Sequence, residues 1–308
     1  MTPAYLALHN RGELQPRIDA ALKMLRECRL CPHECRVDRT AGKHGRCRTG
    51  RRAIVASLGP HFGEESPLVG SGGSGTIFLA NCNLACIFCQ NADLSHGGHG
   101  REVSATLLAQ SMLDLQDQGC HNVNLVTPTH VLPQILEALP EAIAGGLRVP
   151  IVWNCGGYES LGALELLDGI VDIYMPDVKY ADAEIAERLS GCRDYPTHAF
   201  AALREMHRQV GDLQINDRGL AERGLLVRHL VLPHGLAGTP EVLRFLAELS
   251  PNTYVNVMAQ YRPCHRANEE PKLTRALTTA EVRDAVQAAL DAGLTRLDGR
   301  PLKRLAGL

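Results

Sequence analysis

Three cysteines fall within eight positions, Cys82, Cys86 and Cys89, directly after an apolar run in the segment GTIFLANCNLACIFCQNADLS. Clustered thiols of this kind are metal ligands once ionised. Three of them cannot close a four-ligand zinc site unaided. They can hold three irons of a [4Fe–4S] cube and leave the fourth iron open to a substrate. A second set, Cys28-x2-Cys31-x3-Cys35-x11-Cys47, carries enough thiols to close a site of its own. Zinc and a second [4Fe–4S] cluster both suit four thiolates, and spacing does not separate them. His33, between Cys31 and Cys35, is an alternative donor. Cys120, Cys155, Cys192 and Cys264 stand alone and read as structural thiols, with Cys155 nearest the first set.

These residues need elements to position them. From Cys28 to Gly50 apolar residues are sparse and Gly, Arg and His abundant. Such a stretch buries little core, so a bound metal would have to hold it. The SGGSG run at 71–75 breaks regular structure and divides the chain into 1–70, a helix plus the Cys-rich metal-binding segment, and 71–308. Beyond it, apolar runs expected as strands (76–80, 122–126, 149–153, 171–175, 225–232, 254–258) alternate with helical patterns (104–118, 132–144, 159–167, 181–189, 196–210, 240–249). Ser104 and Thr239 are placed to cap two of these helices, and Thr278-Thr-Ala-Glu281 reads as a capping box opening a last one. Alternating β and α units with near-continuously apolar strands predict an α/β fold, a partial (β/α)6 TIM-like barrel. Such sheets place ligand sites beyond the carboxyl ends of their strands, where Cys82 begins.

Composition narrows the function. The 308 residues carry a net charge of −2, and aromatics make up 4%. Neither supports nucleic-acid binding. No apolar run reaches the ~18 residues of a membrane span, and the N-terminus lacks the pattern of a signal peptide. A cytoplasmic location is expected, where eleven cysteines point to metal ligation rather than disulfides.

CxxxCxxC after the first barrel strand, with Phe88 before the last cysteine, resembles the radical S-adenosylmethionine superfamily. The string CNLACIFCQN, VNLVTPTH, NCGGYES, VDIYMPDVKY, LVRHLVLP and VNVMAQYRP is similar to the PflX branch, relatives of pyruvate formate-lyase activating enzyme. Gln90 stands where those activases typically show histidine. The resemblance implies an oxidoreductase in which Cys82, Cys86 and Cys89 hold a [4Fe–4S] cluster that reductively cleaves S-adenosylmethionine. It further implies an electron donor such as flavodoxin or ferredoxin, and a glycyl-radical protein as the candidate partner.

The same resemblance marks polar residues at the strand ends. Asn124, Thr127, Thr129 and His130 lie where related enzymes contact the methionyl amino group. Asp177 and Lys179 lie where they line the nucleotide, and Arg228 where an arginine reaches the carboxylate. Asn154 can hydrogen-bond a ribose or carboxylate, and Gly156 and Gly157 allow close backbone approach. His229, on the opposite face from Arg228, reads as structural. Gln260 and Tyr261 are expected at the substrate opening. No residue is singled out as catalytic. Two alternatives remain: an iron–sulfur electron carrier or redox sensor that does not turn over S-adenosylmethionine, and a zinc-stabilised binding scaffold.

Overall fold

The computed structural model describes residues 2–299. The closing residues of the expected 71–308 unit, 300–308, lie outside it. Nine strands appear among the described residues: β1 (Ala53–His61), β2 (Ser74–Leu79), β3 (Arg101–Val103), β4 (Val123–Val126), β5 (Ile151–Cys155), β6 (Ile173–Pro176), β7 (Gln214–Ile215), β8 (Ala221–Leu230) and β9 (Tyr254–Met258). Six of them, in the order β2-β4-β5-β6-β8-β9, are parallel neighbours. They are the six expected runs, shifted by no more than a few residues. β1 and β3 extend the β2 edge antiparallel, and β7 pairs antiparallel with β8. The result is an α/β fold, a partial (β/α)6 barrel that does not close.

The helices are α1 (Ala4–Asn10), α2 (Leu14–Met24), α3 (Ser66–Val69), α4 (Ala92–Ser95), α5 (Ala105–Asp117), α6 (Leu132–Ala144), α7 (Leu161–Leu167), α8 (Ala183–Ser190), α9 (Tyr195–Val210), α10 (Thr239–Leu249) and α11 (Thr279–Asp291). Buried faces of α5, α6, α7, α9 and α10 cover the strands, whose residues are apolar almost throughout because both faces are covered. Ser104 caps α5 through Leu107 N–H, and the Thr278–Glu281 box opens α11 with both of its bonds formed. Thr239 does not cap α10. Gly238 takes the cap position, and Thr239 sits in the first turn with its hydroxyl against His229 Nε2 at 2.9 Å. That bond, and the one from Nδ1 to the Val178 carbonyl, satisfy His229 as a structural residue.

The expected boundary at residue 70 falls between two paired strands. β1 belongs to the same sheet as β2, in register from Val55↔Leu79 to His61↔Ser74. Its alternation is irregular, which hides it in the sequence. The Cys-rich segment ends earlier, at about Gly50. That knob has a single 3₁₀ turn, Arg39–Ala41, and is otherwise irregular.

Candidate active site

The first three thiols lie on the loop leaving β2. Asn81 bends the chain into the loop with a left-handed φ of 71°. Cys86 is buried, while Cys82 and Cys89 are half-buried. Each sulfur has a polar partner. Ser190 Oγ donates to Cys86 Sγ at 2.9 Å, Leu84 N–H donates to Cys82 Sγ at 3.4 Å, and Ser95 Oγ lies 3.0 Å from Cys89 Sγ. Tyr180 Oη lies 2.6 Å behind Ser190 Oγ, so two hydroxyls in series serve Cys86. Burial pushes Cys82 up to about 12 and raises Cys86, whereas Lys179 draws Cys86 back down. A loop that hides three thiols yet supplies donors to their sulfurs suits thiolates bound to iron better than free thiols.

The three sulfurs open on a cleft of about 260 Å³ at the carboxyl ends of the strands. The opposite wall carries Thr127, Asn154, Asp177, Lys179 and Arg228. Arg228 donates from Nε to Asp177 at 2.8 Å and from Nη2 to Asn154 Oδ1 at 2.7 Å. Lys179 Nζ holds the other Asp177 oxygen at 2.7 Å. Burial alone would raise Asp177, but the two cations overcome it and hold the carboxyl below its usual range. Leu84, Phe88, Val126, Leu230 and Met258 complete an apolar wall, and Gln260 stands at the mouth. Gly157 turns the chain beside Asp177 with φ 78°, where a Cβ would lie 2.4 Å from the Asp177 carbonyl oxygen. Tyr195 Oη ties that turn down: it meets the Asp177 and Gly156 carbonyls and accepts from Lys179 N–H, each at 2.9 Å.

Thus Thr127, Asn154, Gly156, Asp177, Lys179 and Arg228 meet the first thiol set at one cleft. Asn124 does not line it. Side chains alternate along β4, so Asn124 lies one layer beneath Val126, fully buried, with Nδ2 on Ser74 Oγ at 3.2 Å. Tyr261 is buried with its hydroxyl on the Leu273 carbonyl rather than at the opening. Thr129 bonds to the buried Glu159. Sequence reasoning missed Glu64 and Glu65, both buried and 3.6 and 3.9 Å from Arg228 Nη1. Adjacent acids just before a short helix give no periodic signal. Ser95 and Ser190 were equally invisible, being ordinary helix-end serines.

The second thiol set lines a separate cavity of about 10 Å³ with Arg39, Arg46 and His130. Glu34 (φ 37°) and Arg36 (φ 53°) flank Cys35 in left-handed turns, and a Cβ on Gly45 would lie 2.7 Å from Cys35 Sγ. Burial raises the Cys31 thiol, and Cys47, Cys28 and Cys35 around it raise it further. His33 does not line this cavity. Its Nε2 donates to the Asn83 carbonyl at 2.8 Å and lies 3.7 Å from Cys192 Sγ. The knob therefore grips the first thiol loop at two places, since Asn81 Nδ2 also donates to Thr49 Oγ1 at 3.1 Å. Among the described residues, no three His, Cys, Asp or Glu side chains yet converge as a single ion requires. The three sulfurs at Cys82, Cys86 and Cys89, each with a polar partner, open on a cleft of about 260 Å³, which leaves room for a group larger than an ion. A further hollow of about 290 Å³ beside β1 and β3 holds the Arg51–Glu137 pair and no thiol.

No family model matches the chain. Among solved structures, a radical SAM methyltransferase from Sphaerobacter thermophilus shares 14% identity, covering 72% of this chain and 64% of its own, at a TM-score of 0.48. Native anSMEcpe with bound AdoMet shares 11%, over 74% and 65%, at 0.49. Streptococcus suis SuiB bound to precursor peptide SuiA shares 13%, over 68% and 43%, at 0.45. The chain spans less than two thirds of each of these solved chains, and likeness at this level does not bear on what it does. No helix among the described residues is long and apolar enough to cross a membrane. The uncharacterized protein MJ0674 of Methanocaldococcus jannaschii is 31% identical over 285 residues, 90% of this chain and 78% of that one. At that identity and coverage, the chain belongs to the same family as MJ0674.

Proposed function

We propose that this protein is a radical S-adenosylmethionine enzyme. One observation carries the reading: three hydrogen-bonded sulfurs and a charged set drawn from the ends of separate parallel strands share a single cleft. Cys82, Cys86 and Cys89 would hold a [4Fe–4S] cluster through three of its irons. That cluster, when bound and reduced, supplies the one-electron cleavage of S-adenosylmethionine to a 5′-deoxyadenosyl radical.

The chain's own residues bind, orient and exclude water. Asp177 stays ionised and offers an acceptor to an amino group or ribose hydroxyl, while Lys179 and Arg228, the latter braced by Asn154, fix its position. Lys179 keeps a positive charge close to Cys86, which offsets the negative charge of the thiolates. Phe88, Leu84, Leu230 and Met258 shield the reacting region from water, which protects a radical from side reactions. Asn124, one layer below, supports the floor of the cleft rather than touching a ligand.

The hydrogen donor we assign is a glycyl-radical protein, with flavodoxin or ferredoxin as the electron source. The reading rests on the family resemblance, and Gln260 at the mouth of the cleft is the exposed residue such a partner would meet first. The eleven free cysteines suit a reducing cytoplasm.

The test is anaerobic. Protein reconstituted with iron and sulfide, then reduced, should convert S-adenosylmethionine to 5′-deoxyadenosine and change its electron-spin signal when the nucleotide binds. A cluster that forms but yields no nucleoside and no spectral change would sink the proposal and leave an electron carrier or redox sensor.

A further inference from the structure

Cys82 differs from the other two thiols of its loop in how it is held. Cys86 and Cys89 each meet a serine hydroxyl, from Ser190 and Ser95. Among the described residues, Cys82 Sγ forms hydrogen bonds only within its own loop, to Leu84 N–H at 3.4 Å and Asn83 Oδ1 at 3.8 Å. A side chain with no outside partner is placed by its backbone, so the residues on either side of Cys82 decide where its sulfur lies.

Both neighbours are buried asparagines, and both are held from the knob. Asn81 is 3% exposed and takes a left-handed φ of 71°. A residue with a Cβ keeps that conformation only where something holds it. Its Nδ2 donates to Thr49 Oγ1 at 3.1 Å, and Thr49 Oγ1 donates to the Cys47 carbonyl at 3.2 Å. Asn83 is 1% exposed, and its carbonyl accepts from His33 Nε2 at 2.8 Å. The His33 ring stands edge-on to Tyr158 with centroids 5.2 Å apart, and Asn83 Nδ2 donates to the Tyr158 carbonyl at 2.7 Å.

The two holding residues stand beside the knob thiols. Thr49 is two positions after Cys47, and His33 lies midway between Cys31 and Cys35. Each also adjoins a left-handed residue, Arg48 at φ 57° and Glu34 at φ 37°. Such backbone persists only where its surroundings impose it. Here the surroundings include the walls of the thiol cavity, because Cys31, Glu34, Cys35 and Cys47 all line it. We infer that the knob clamps Cys82 from both sides, with His33 and Thr49 as positioning residues for this ligand, and that the state of the knob thiols thereby regulates how firmly the first thiol set holds iron. The inference rests on the reading of Cys82, Cys86 and Cys89 as an iron site, and commits to nothing about what the knob itself binds.

Site-resolved alkylation of the full chain as purified, before iron is added and read by mass spectrometry, tests the clamp. Thr49→Val and His33→Leu should each label Cys82 about fivefold faster than the unsubstituted protein, with Cys86, held by Ser190, within about twofold. Thr49→Ser and His33→Gln, which keep a hydroxyl or a donor in place, should return Cys82 to its original rate. Cys47→Ser should speed Cys82 labelling about threefold with both holding residues intact. An unchanged Cys82 rate in Thr49→Val and His33→Leu would overturn the clamp, and so would an equal acceleration of Cys86, which marks general loosening. An unchanged rate in Cys47→Ser would overturn the regulation. After anaerobic reconstitution, Thr49→Val should release iron to a ferrous chelator about threefold faster. Release at the original rate would overturn the link to iron. If the unsubstituted protein retains no more iron than Cys82→Ala, the iron reading of the site fails, while the labelling rates still decide the clamp.

Discussion

Arg228 Nε donates to Asp177 Oδ1 at 2.8 Å, joining the ends of β6 and β8 across their parallel boundary. The guanidinium also neutralises the buried Glu64 and Glu65. Removing it would leave several carboxylates facing one another away from water. Arg228→Met is expected to lose about 3–5 kcal/mol in urea unfolding. Adding Glu65→Gln should recover part of that loss. A loss under about 1 kcal/mol would mean that solvent reaches the cluster of charges.

Ser190 is the last hydroxyl before Cys86 sulfur. Hydrogen bonds to cluster sulfurs raise the reduction potential by stabilising the more negative state. Ser190→Ala should therefore retain its iron but show a potential lower by tens of millivolts, on the order expected for one charge-assisted hydrogen bond. Cys86→Ala should retain neither cluster nor nucleoside production. Redox titration followed by electron spin resonance separates the two outcomes.

Burial pushes Glu159 up to about 7, against the pull of the Thr129 hydroxyl. The folded protein thus holds this proton more tightly than the unfolded chain, whose carboxyl titrates near 4.5. Between those two values folding takes up a proton, so stability falls as pH rises and is flat outside the window. The loss is about 3 kcal/mol for this group. Asp172, raised to about 6 by burial, adds a smaller loss of the same sign. Because burial holds His130 and His229 near 4, and they contribute the opposite sign over this range, the Glu159 contribution is read as a difference: between pH 5 and pH 7.5 the unfolding free energy of Glu159→Gln should rise relative to that of the wild type. Equal slopes in both proteins would place Glu159 in a wetter site.

Gly157 has φ 78° and no space for a Cβ beside the Asp177 carbonyl. Gly157→Ala should cost at least about 2 kcal/mol, combining left-handed strain with a forced backbone shift. Because Asp177 must move, S-adenosylmethionine affinity should fall with stability, which calorimetry on the reconstituted protein can check.

The parallel strands were legible because each is a short apolar run between helical patterns, and the first thiol set because its spacing is chemical rather than structural. β1 was not, since its alternation is broken by a shift in register after Val55. At the cleft, Asn154 stood out as a polar group at an apolar strand end, while Asp177, Lys179 and Arg228 were marked chiefly by the family resemblance; all four line the cleft. Asn124 shared that look but sits one layer too deep, two residues before Val126. Glu65, Ser190 and Thr49 matter through contacts made across long stretches of chain, and no local pattern reports those. His33 was misplaced for the converse reason: its position between two cysteines suggested a ligand, while its ring points to the Asn83 carbonyl.

The knob's two grips on Asn81 and Asn83 also make the thiol loop answer to a part of the chain that precedes it. His33 and Thr49 hold the loop from one side, while Ser190, from the end of α8, reaches Cys86 from elsewhere in the fold. A change that loosens residues 28–50 therefore reaches the first thiol set without touching any residue of the cleft.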